Sequence, residues 1–407
     1  MDNLFAVCAP GLEPFLTQEL EQLGLHAGRP ASLSGQGEES GGVEFEGDLR
    51  DVYRANLRLR TASRVLVRLG AFYAAGFPEL VRKASRLPWE RYLTPGQPVA
   101  LRVTCHKSRL YHSDAVAERV ARAIGERLGQ LPPIVKFNPQ DGSSREDADA
   151  NPPQLILVRL AHDHCTISVD SSGALLHRRG YRQAVAKAPL RETLAAGMLM
   201  ASGWDMASPL LDPFCGSGTI PIEAALMARK IPPGRARRFA FMDWPNFDAA
   251  MWPPLPPPTP SLSQAWEREG ARGWMRAILA SDRAAGAIKS AQANAERAGV
   301  ADCIEFSCRA VSAIEPPPGP GWVVTNPPYG VRVSGGRDLR NLYAQFGNVM
   351  RNKCPGWHIA MLCDSVQLVH NTGLKFDQAR SIPLVNGGLK VRLTLAKVFA
   401  DSAANSE

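Results

Sequence analysis

The sequence predicts an α/β protein: a Rossmann-like domain with a mainly parallel sheet in its second half, preceded by smaller α+β units. Two observations predict the second half. From Pro209 onward, short apolar runs alternate with helical stretches, and one of the runs, LLDPFCGSGT, leads into a Gly-rich turn. That order demands crossover connections and therefore helices on both faces of a sheet. Before about residue 185 strands and helices also alternate, but in shorter pieces. The third observation is length. At roughly 100–200 residues per domain, 407 residues make two to four domains, and a 45% hydrophobic composition supplies several cores and excludes wholesale disorder.

The elements follow in order. Leu4 to Cys8 reads as a strand, and Leu12 to Leu23 as a helix with Leu12, Phe15, Leu16, Leu20 and Leu23 on one face and Gly24 as its stop. Gly35 to Gly42 is a Gly/Ser-rich turn, after which Val43 and Phe45 alternate with acids as in a half-buried strand. Asp48 can cap a helix reaching about Leu59. A strand at Arg64–Leu69, a helix near Pro78–Leu87, a strand at Val99–Cys105, a helix at Ser113–Leu128 and strands at Leu155–Leu160 and Cys165–Asp170 complete the first half. Pro132 to Pro153, acidic and proline-containing, reads as a mobile loop. In the second half LLDPFCGSGT, AILASD, IEFSC, WVVT, IAMLCD and LKVRLTLAKVF are strands, and IPIEAALMARK and RAAGAIKSAQANAERAG are helices. Met251 to Pro260 is a polyproline-like spacer.

Composition excludes several classes. The sequence has no unbroken run of about 18 apolar residues, the length that could span a membrane. The start, MDNLFAVCAPGLEPF, lacks a basic segment and a long apolar stretch, so it does not read as a signal peptide. The eight cysteines form no C-x-x-C pair and no zinc spacing, so free thiols in a reducing cytoplasm and no bound metal are expected. A net charge of +8 is compatible with a polyanionic partner, and Arg outnumbers Lys by 37 to 10.

Three strand ends carry the chemistry. In Leu211-Asp-Pro-Phe-Cys-Gly-Ser-Gly-Thr219 a Gly-x-Gly turn joins a strand to a helix, which lets a ligand approach the backbone at the carboxyl edge of the sheet. It lacks the third glycine of a dinucleotide site and the Lys-Ser/Thr of a P-loop. Asp282 ends the next strand, where an acid can bridge two ribose hydroxyls or simply cap the following helix. Asn326-Pro-Pro-Tyr-Gly330 is a stiff loop, in which the Asn326 carboxamide and the Pro327 carbonyl are two acceptors and Tyr329 a stacking face. Together these suit a planar ring with an exocyclic amine, held in the geometry of transfer without a strong base.

In this combination the chain resembles the S-adenosylmethionine-dependent amino-methyltransferases. More narrowly, it resembles the bacterial THUMP-domain RNA methyltransferases that make N2-methylguanosine in ribosomal RNA or tRNA. The opening LFAVCAPGLEPFLTQELEQLG, the GGVEFEGD strand, Leu176–Arg182, Ala188–Leu194, DPFCGSGTIPIEAA and NPPYG all follow that pattern. The resemblance implies a ferredoxin-like domain at 1–50, a THUMP domain at 51–170, a linker at 171–184, a Rossmann-like class I methyltransferase domain at 185–400 and a tail at 401–407. It implies that Asp212, Phe214, Gly216, Gly218 and Thr219 line the cofactor, that Asp282 holds its ribose, and that Pro189 to Thr193 close over it. Asn326, Pro327, Pro328 and Tyr329 would hold the target base, with Asn326 also beside the cofactor. Where the family often has an acid reading adenine, this chain has Ala310.

Basic segments in the inferred RNA-binding half, and just after it, are candidates for phosphate contact: Arg64, Lys107, Arg109, Arg178, Arg179 and Arg182. A solvated face is the ordinary alternative for each cluster. Trp244 and Trp252 could stack bases or pack a core. The expectation is a cytoplasmic, monomeric guanine-N2 methyltransferase acting on RNA, ribosomal RNA first and tRNA second, with S-adenosylmethionine as cofactor and neither membrane nor metal partner. Two alternatives stand beside it. One is methylation of the adenine 6-amino group in DNA or RNA; the other is an RNA-binding or assembly factor without turnover.

Overall fold

The computed structural model describes residues 1–28, 41–136, 153–183, 190–252, 278–330 and 338–399. Most of the expected acidic loop, the polyproline spacer from 253 onward, Pro189 and the tail lie outside these residues. The chain forms two compact units.

The first unit comprises Met1–Cys8, Leu16–Leu176 and Arg237–Pro254. Its strands are β1 (Asp2–Cys8), β2 (Gly42–Gly47), β3 (Ala62–Tyr73), β4 (Val99–His106), β5 (Ile134–Val135), β6 (Gln154–Ala161) and β7 (His164–Asp170). They make one sheet in the order β2-β1-β3-β7-β6-β4-β5. β3 is longer than its sequence signal because it has partners on two sides: it pairs antiparallel with β1 through Arg68–Ala62 and with β7 through Leu66–Tyr73. The helix α1 (Glu13–Gln22) spans both units in sequence, and α2 (Leu49–Arg58), α3 (Phe77–Ala84) and α4 (Ser113–Leu128) belong to the first. Asp48 caps α2 as its sequence predicts, with a reciprocal pair: Asp51 N–H donates to Asp48 Oδ1 at 3.0 Å, and Asp48 N–H donates to Asp51 Oδ2 at 3.1 Å. An aromatic cluster of Tyr53, Phe239, Phe241 and Trp252 fills part of this core, with the Tyr53 and Phe241 rings stacked at 4.5 Å.

The second unit comprises Ala9–Phe15, His177–Ala236 and Leu255–Glu407. Its strands are β8 (Leu210–Asp212), β9 (Ile278–Asp282), β10 (Ile304–Cys308), β11 (Trp322–Thr325), β12 (His358–Cys363), β13 (Phe376–Asn386) and β14 (Leu389–Lys397). The order is β10-β9-β8-β11-β12-β14-β13. The first five run parallel, and the β13–β14 hairpin closes the sheet antiparallel to β12. The strand order reverses between β8 and β11, so the crevice of a doubly wound fold opens at the carboxyl ends of those two strands. Among the described residues the helices α5 (Glu192–Ser202), α6 (Thr219–Ala228), α7 (Ala285–Ala298), α8 (Arg340–Lys353) and α9 (Val366–Asn371) accompany them. Nearly all of α5 is buried, because its ETLAAGMLMAS sequence is apolar around most of its circumference.

Candidate active site

A cavity of about 540 Å³ lies at the carboxyl edge of the second sheet, between the ends of β8, β9 and β11. Its floor is the turn after β8. Gly216 (φ +52°) and Gly218 (φ +85°) take left-handed backbone that favours glycine. A Cβ on Gly218 would come within 2.9 Å of the Ala291 Cβ on α7, so this glycine admits close helix packing, and it does not line the cavity. A Cβ on Gly216 would meet nothing within 4 Å among the described residues; that residue does line the cavity. The turn is pinned from three places. Cys215 N–H donates to Ser281 O at 3.0 Å, Gly216 N–H to Asp282 Oδ2 at 3.1 Å, and Asn294 Nδ2 to Ser217 O at 3.0 Å. Asp282 also accepts from Ala284 N–H at 2.9 Å, so the turn-forming and cavity-lining roles fall on the same carboxylate.

Asp212 ends β8 and is 1% exposed. Its Oδ1 accepts from the Thr325 hydroxyl at 2.7 Å and from Phe214 N–H at 3.2 Å. Burial raises its pKa from 3.8 to about 7; the two hydrogen bonds pull against that, and the neighbouring Asp282 charge adds to it. Thr325, the last residue of β11, was not singled out by its sequence, although it directly precedes Asn326. Phe214 and Thr219 join Asp212 at the wall, and Ala310 and Val311 present an apolar surface on the same cavity.

The Asn-Pro-Pro-Tyr loop closes the other side. Asn326 Oδ1 is buried and has no hydrogen-bond partner among the described residues, a costly state for an amide oxygen unless a ligand supplies the donor. The Pro328 carbonyl accepts from the Tyr343 hydroxyl of α8 at 3.2 Å. The Tyr329 hydroxyl accepts from Asn386 Nδ2 at 2.9 Å. Asn386 sits at the β13–β14 turn, whose Gly387 (φ +57°) and Gly388 (φ +86°) form a two-residue hairpin link. Asn386, Gly387 and Leu389 all line the cavity. Sequence reasoning missed Tyr343 and Asn386; the adjacent Gly-Gly pair between strands was the available signal for the turn.

The fold thus brings Asp212, Phe214, Gly216, Thr219, Asp282 and residues 326–329 to one cavity. Thr193 is buried within α5 instead, and Leu190 and Arg191 are the lining residues from its segment.

The basic candidates separate, and three are corrected. Arg64 is buried and ion-paired with Asp170, and it also donates to Gly173 O at 2.7 Å. Arg179 is buried against Glu223 at 3.5 Å, an acid that also accepts from Tyr181 at 3.1 Å. Arg182 donates to Leu190 O at 2.8 Å and Thr219 Oγ1 at 2.7 Å, and pairs with Glu192 at 3.2 Å. These guanidiniums are engaged with internal acceptors. Arg182 instead ties together two segments that line the cavity. Lys107 and Arg109 are exposed, and Arg178 is half-buried. Trp244 is corrected as well: it is 3% exposed, and its indole N–H donates to Gln154 Oε1 at 2.8 Å, so it packs the first unit's core and stacks no base. Trp252 joins the aromatic cluster there.

A parallel sheet with a terminal antiparallel hairpin, a glycine turn with two acids, and a stiff Asn-Pro-Pro-Tyr loop define a class I methyltransferase that uses S-adenosylmethionine. The chain belongs to the RMKL-like methyltransferase-domain family, which it matches over residues 179–394. It also matches the RlmL ferredoxin-like domain over 3–66 and the THUMP domain over 74–170. A Synechocystis protein named "Putative RNA methyltransferase" is 34% identical over 97% of this chain and 96% of its own length. A Shewanella frigidimarina protein named ribosomal RNA large subunit methyltransferase K/L is 34% identical over 99% of this chain. The chain spans about half the length of the K/L relatives, 54% in that case. A structure described as "a putative methyltransferase complexed with SAH" superposes with a TM-score of 0.76 at 26% identity, over 99% of both chains. A Listeria monocytogenes structure described as a "predicted N6-adenine-specific DNA methylase" superposes with a TM-score of 0.77 at 31% identity, over 98% of this chain and 96% of its own.

Proposed function

We propose that the protein transfers a methyl group to the exocyclic 2-amino group of a guanine in RNA, with large-subunit ribosomal RNA the first candidate and tRNA the second. The observation that carries the reading is the buried Asn326 Oδ1 at the cavity, unpartnered among the described residues. An aromatic amine carries two N–H donors, and its lone pair is delocalised into the ring. Asn326 Oδ1 and the Pro327 carbonyl are the acceptors proposed for them, while Tyr343 occupies the Pro328 carbonyl and so steadies the loop. Holding both N–H groups favours tetrahedral nitrogen, and the surplus proton leaves to water after transfer. Tyr329, fixed by Asn386, is the proposed stacking face for a base splayed out of its RNA.

The cavity suits the cofactor on its own evidence: a volume in the small-ligand range, Gly216 in its lining, and the carboxylates of Asp212 and Asp282. When bound, S-adenosylmethionine supplies an electrophilic methyl group on a sulfonium. Asp212, Phe214, Gly216 and Thr219 are the proposed walls for it, Gly218 shapes the turn beneath, and Asp282 is the proposed ribose partner. Pro189 and Thr193 belong to the segment proposed to close over it.

RNA as substrate is supported by the THUMP match and by the relatives' names. Residues up to about 170 are proposed to capture RNA, with the exposed Lys107 and Arg109 as candidate phosphate contacts, and residues 185–400 to do the chemistry. Adenine remains the second reading because of the name carried by the Listeria structure. Mass spectrometry of nucleosides from ribosomal RNA and tRNA of a deletion strain tests both. Loss of N2-methylguanosine at one site is expected. Intact N2-methylguanosine with missing methyladenosine would overturn the base assignment, and no missing methyl group would favour a factor without turnover.

A further inference from the structure

We infer that the β13–β14 hairpin is a second RNA contact, built into the catalytic unit itself, in which Lys390 and Arg392 hold backbone phosphates flanking the target nucleotide. The inference rests on the RNA reading above.

Register places these cations. β14 pairs antiparallel with β12, and Arg392 stands directly opposite Cys363. Opposed residues in an antiparallel pair project from the same face. The Cys363 sulfur lies 3.4 Å from the Tyr343 hydroxyl, which is the hydroxyl that holds the Pro328 carbonyl. Arg392 therefore leaves the sheet on the face where α8 seats the Asn-Pro-Pro-Tyr loop. Lys390, two residues earlier on the strand, shares that face. Both are exposed, whereas Val391 and Leu393 are buried on the opposite face, so the alternation fixes the direction. The turn that begins this strand lines the cavity through Asn386, Gly387 and Leu389, and Lys390 follows directly in the chain, on the opposite face from Leu389.

Charge points the same way. Unlike Arg64, Arg179 and Arg182, neither the Lys390 nor the Arg392 side chain makes an ion pair or hydrogen bond among the described residues. Between Lys375 and Lys397 the hairpin carries Lys375, Arg380, Lys390, Arg392 and Lys397 against a single acid, Asp377. Asp364, next to Cys363 on the neighbouring strand end, is exposed and pairs with neither cation. Unpaired surface cations keep their counterions until a polyanion replaces them, and that release is the main source of backbone affinity. A base drawn into the cavity brings its own flanking phosphates with it, and the strand that bears these side chains starts at the turn lining that cavity.

The test uses the full chain carrying Lys390→Gln and Arg392→Gln together, with Lys390→Arg/Arg392→Lys as the charge-retaining control. The probes are transcripts of large-subunit ribosomal RNA and a tRNA pool, both from a deletion strain. The double Gln variant should bind its RNA roughly tenfold more weakly at moderate salt. The slope of log affinity against log salt should flatten by about one to two, at roughly 0.7–0.9 for each phosphate no longer neutralised. KM for RNA should rise while kcat at saturating RNA and S-adenosylmethionine affinity stay unchanged, and the charge-retaining variant should match wild type. An unchanged salt slope in the Gln variant, with wild type binding normally, refutes the hairpin contact alone. Failure of wild type to bind either RNA, with cofactor binding intact, refutes the RNA reading and this inference with it.

Discussion

Asp212→Asn should make the protein more stable and less able to bind its cofactor at once. The Asp212 carboxyl is buried, and its pKa is raised from 3.8 to about 7, first by burial. A carboxyl with a raised folded-state pKa holds its proton more tightly folded than unfolded. Its contribution to stability is full below pH 3.8 and is lost as pH rises through about 7. At about 1.4 kcal/mol per pH unit, the ionised group costs the ligand-free protein ~4 kcal/mol above neutrality. An asparagine keeps an oxygen for Phe214 N–H and for the Thr325 hydroxyl without the charge. Calorimetry across pH is the assay. The variant's advantage should be small near pH 4 and widen by ~3 kcal/mol between pH 5 and pH 8. For a domain of this size that is a shift in Tm of roughly 6–12 °C. Titration calorimetry with S-adenosylmethionine should show affinity falling at least tenfold, since a cationic ligand beside Asp212 would offset the burial cost in wild type. A stability gap that does not change between pH 5 and pH 8, or a less stable variant at pH 8, would refute the electrostatic account.

Three further outcomes are expected. Asn326→Ala should lower kcat by about 10²–10³ while the cofactor Kd stays within about twofold of wild type; a large drop in cofactor affinity would mean that Asn326 serves the cofactor first. Tyr343→Phe removes the donor to Pro328 O and should lower kcat about fivefold, the equivalent of ~1 kcal/mol for one hydrogen bond, with cofactor affinity preserved. Arg179→Ala strips the cation from Glu223, which is 0% exposed, and should destabilise the protein by ~3–5 kcal/mol in denaturant titrations. Adding Glu223→Gln to Arg179→Ala should recover much of that stability.

The strand-end motifs were legible because their physics is local. Left-handed glycine turns, a proline-stiffened loop and an acid ending an apolar run depend on neighbouring residues, and they are found at the cavity where spacing places them. The Asp48 cap on α2 was readable for the same reason. Other elements gave weak signals. α5 is apolar around nearly its whole surface and so shows no helical period, and β3 extends past its apolar run because partners on both sides pair with it. The segment from Arg237 to Trp252 falls between catalytic strands in sequence, yet it packs with the first unit.

The reaction class was already written in the linear chain, as three short motifs in fixed order, each imposing its own backbone geometry. Which charges are free emerged only from the folded molecule. Arg64, Arg179 and Arg182 look like any other cations on paper, but Arg64 and Arg179 meet acids from distant parts of the chain and Arg182 meets the Thr219 hydroxyl, while Lys390 and Arg392 meet none among the described residues. The reason is that a charge's worth depends on burial and on its partners, and both are set by long-range packing that no local pattern encodes.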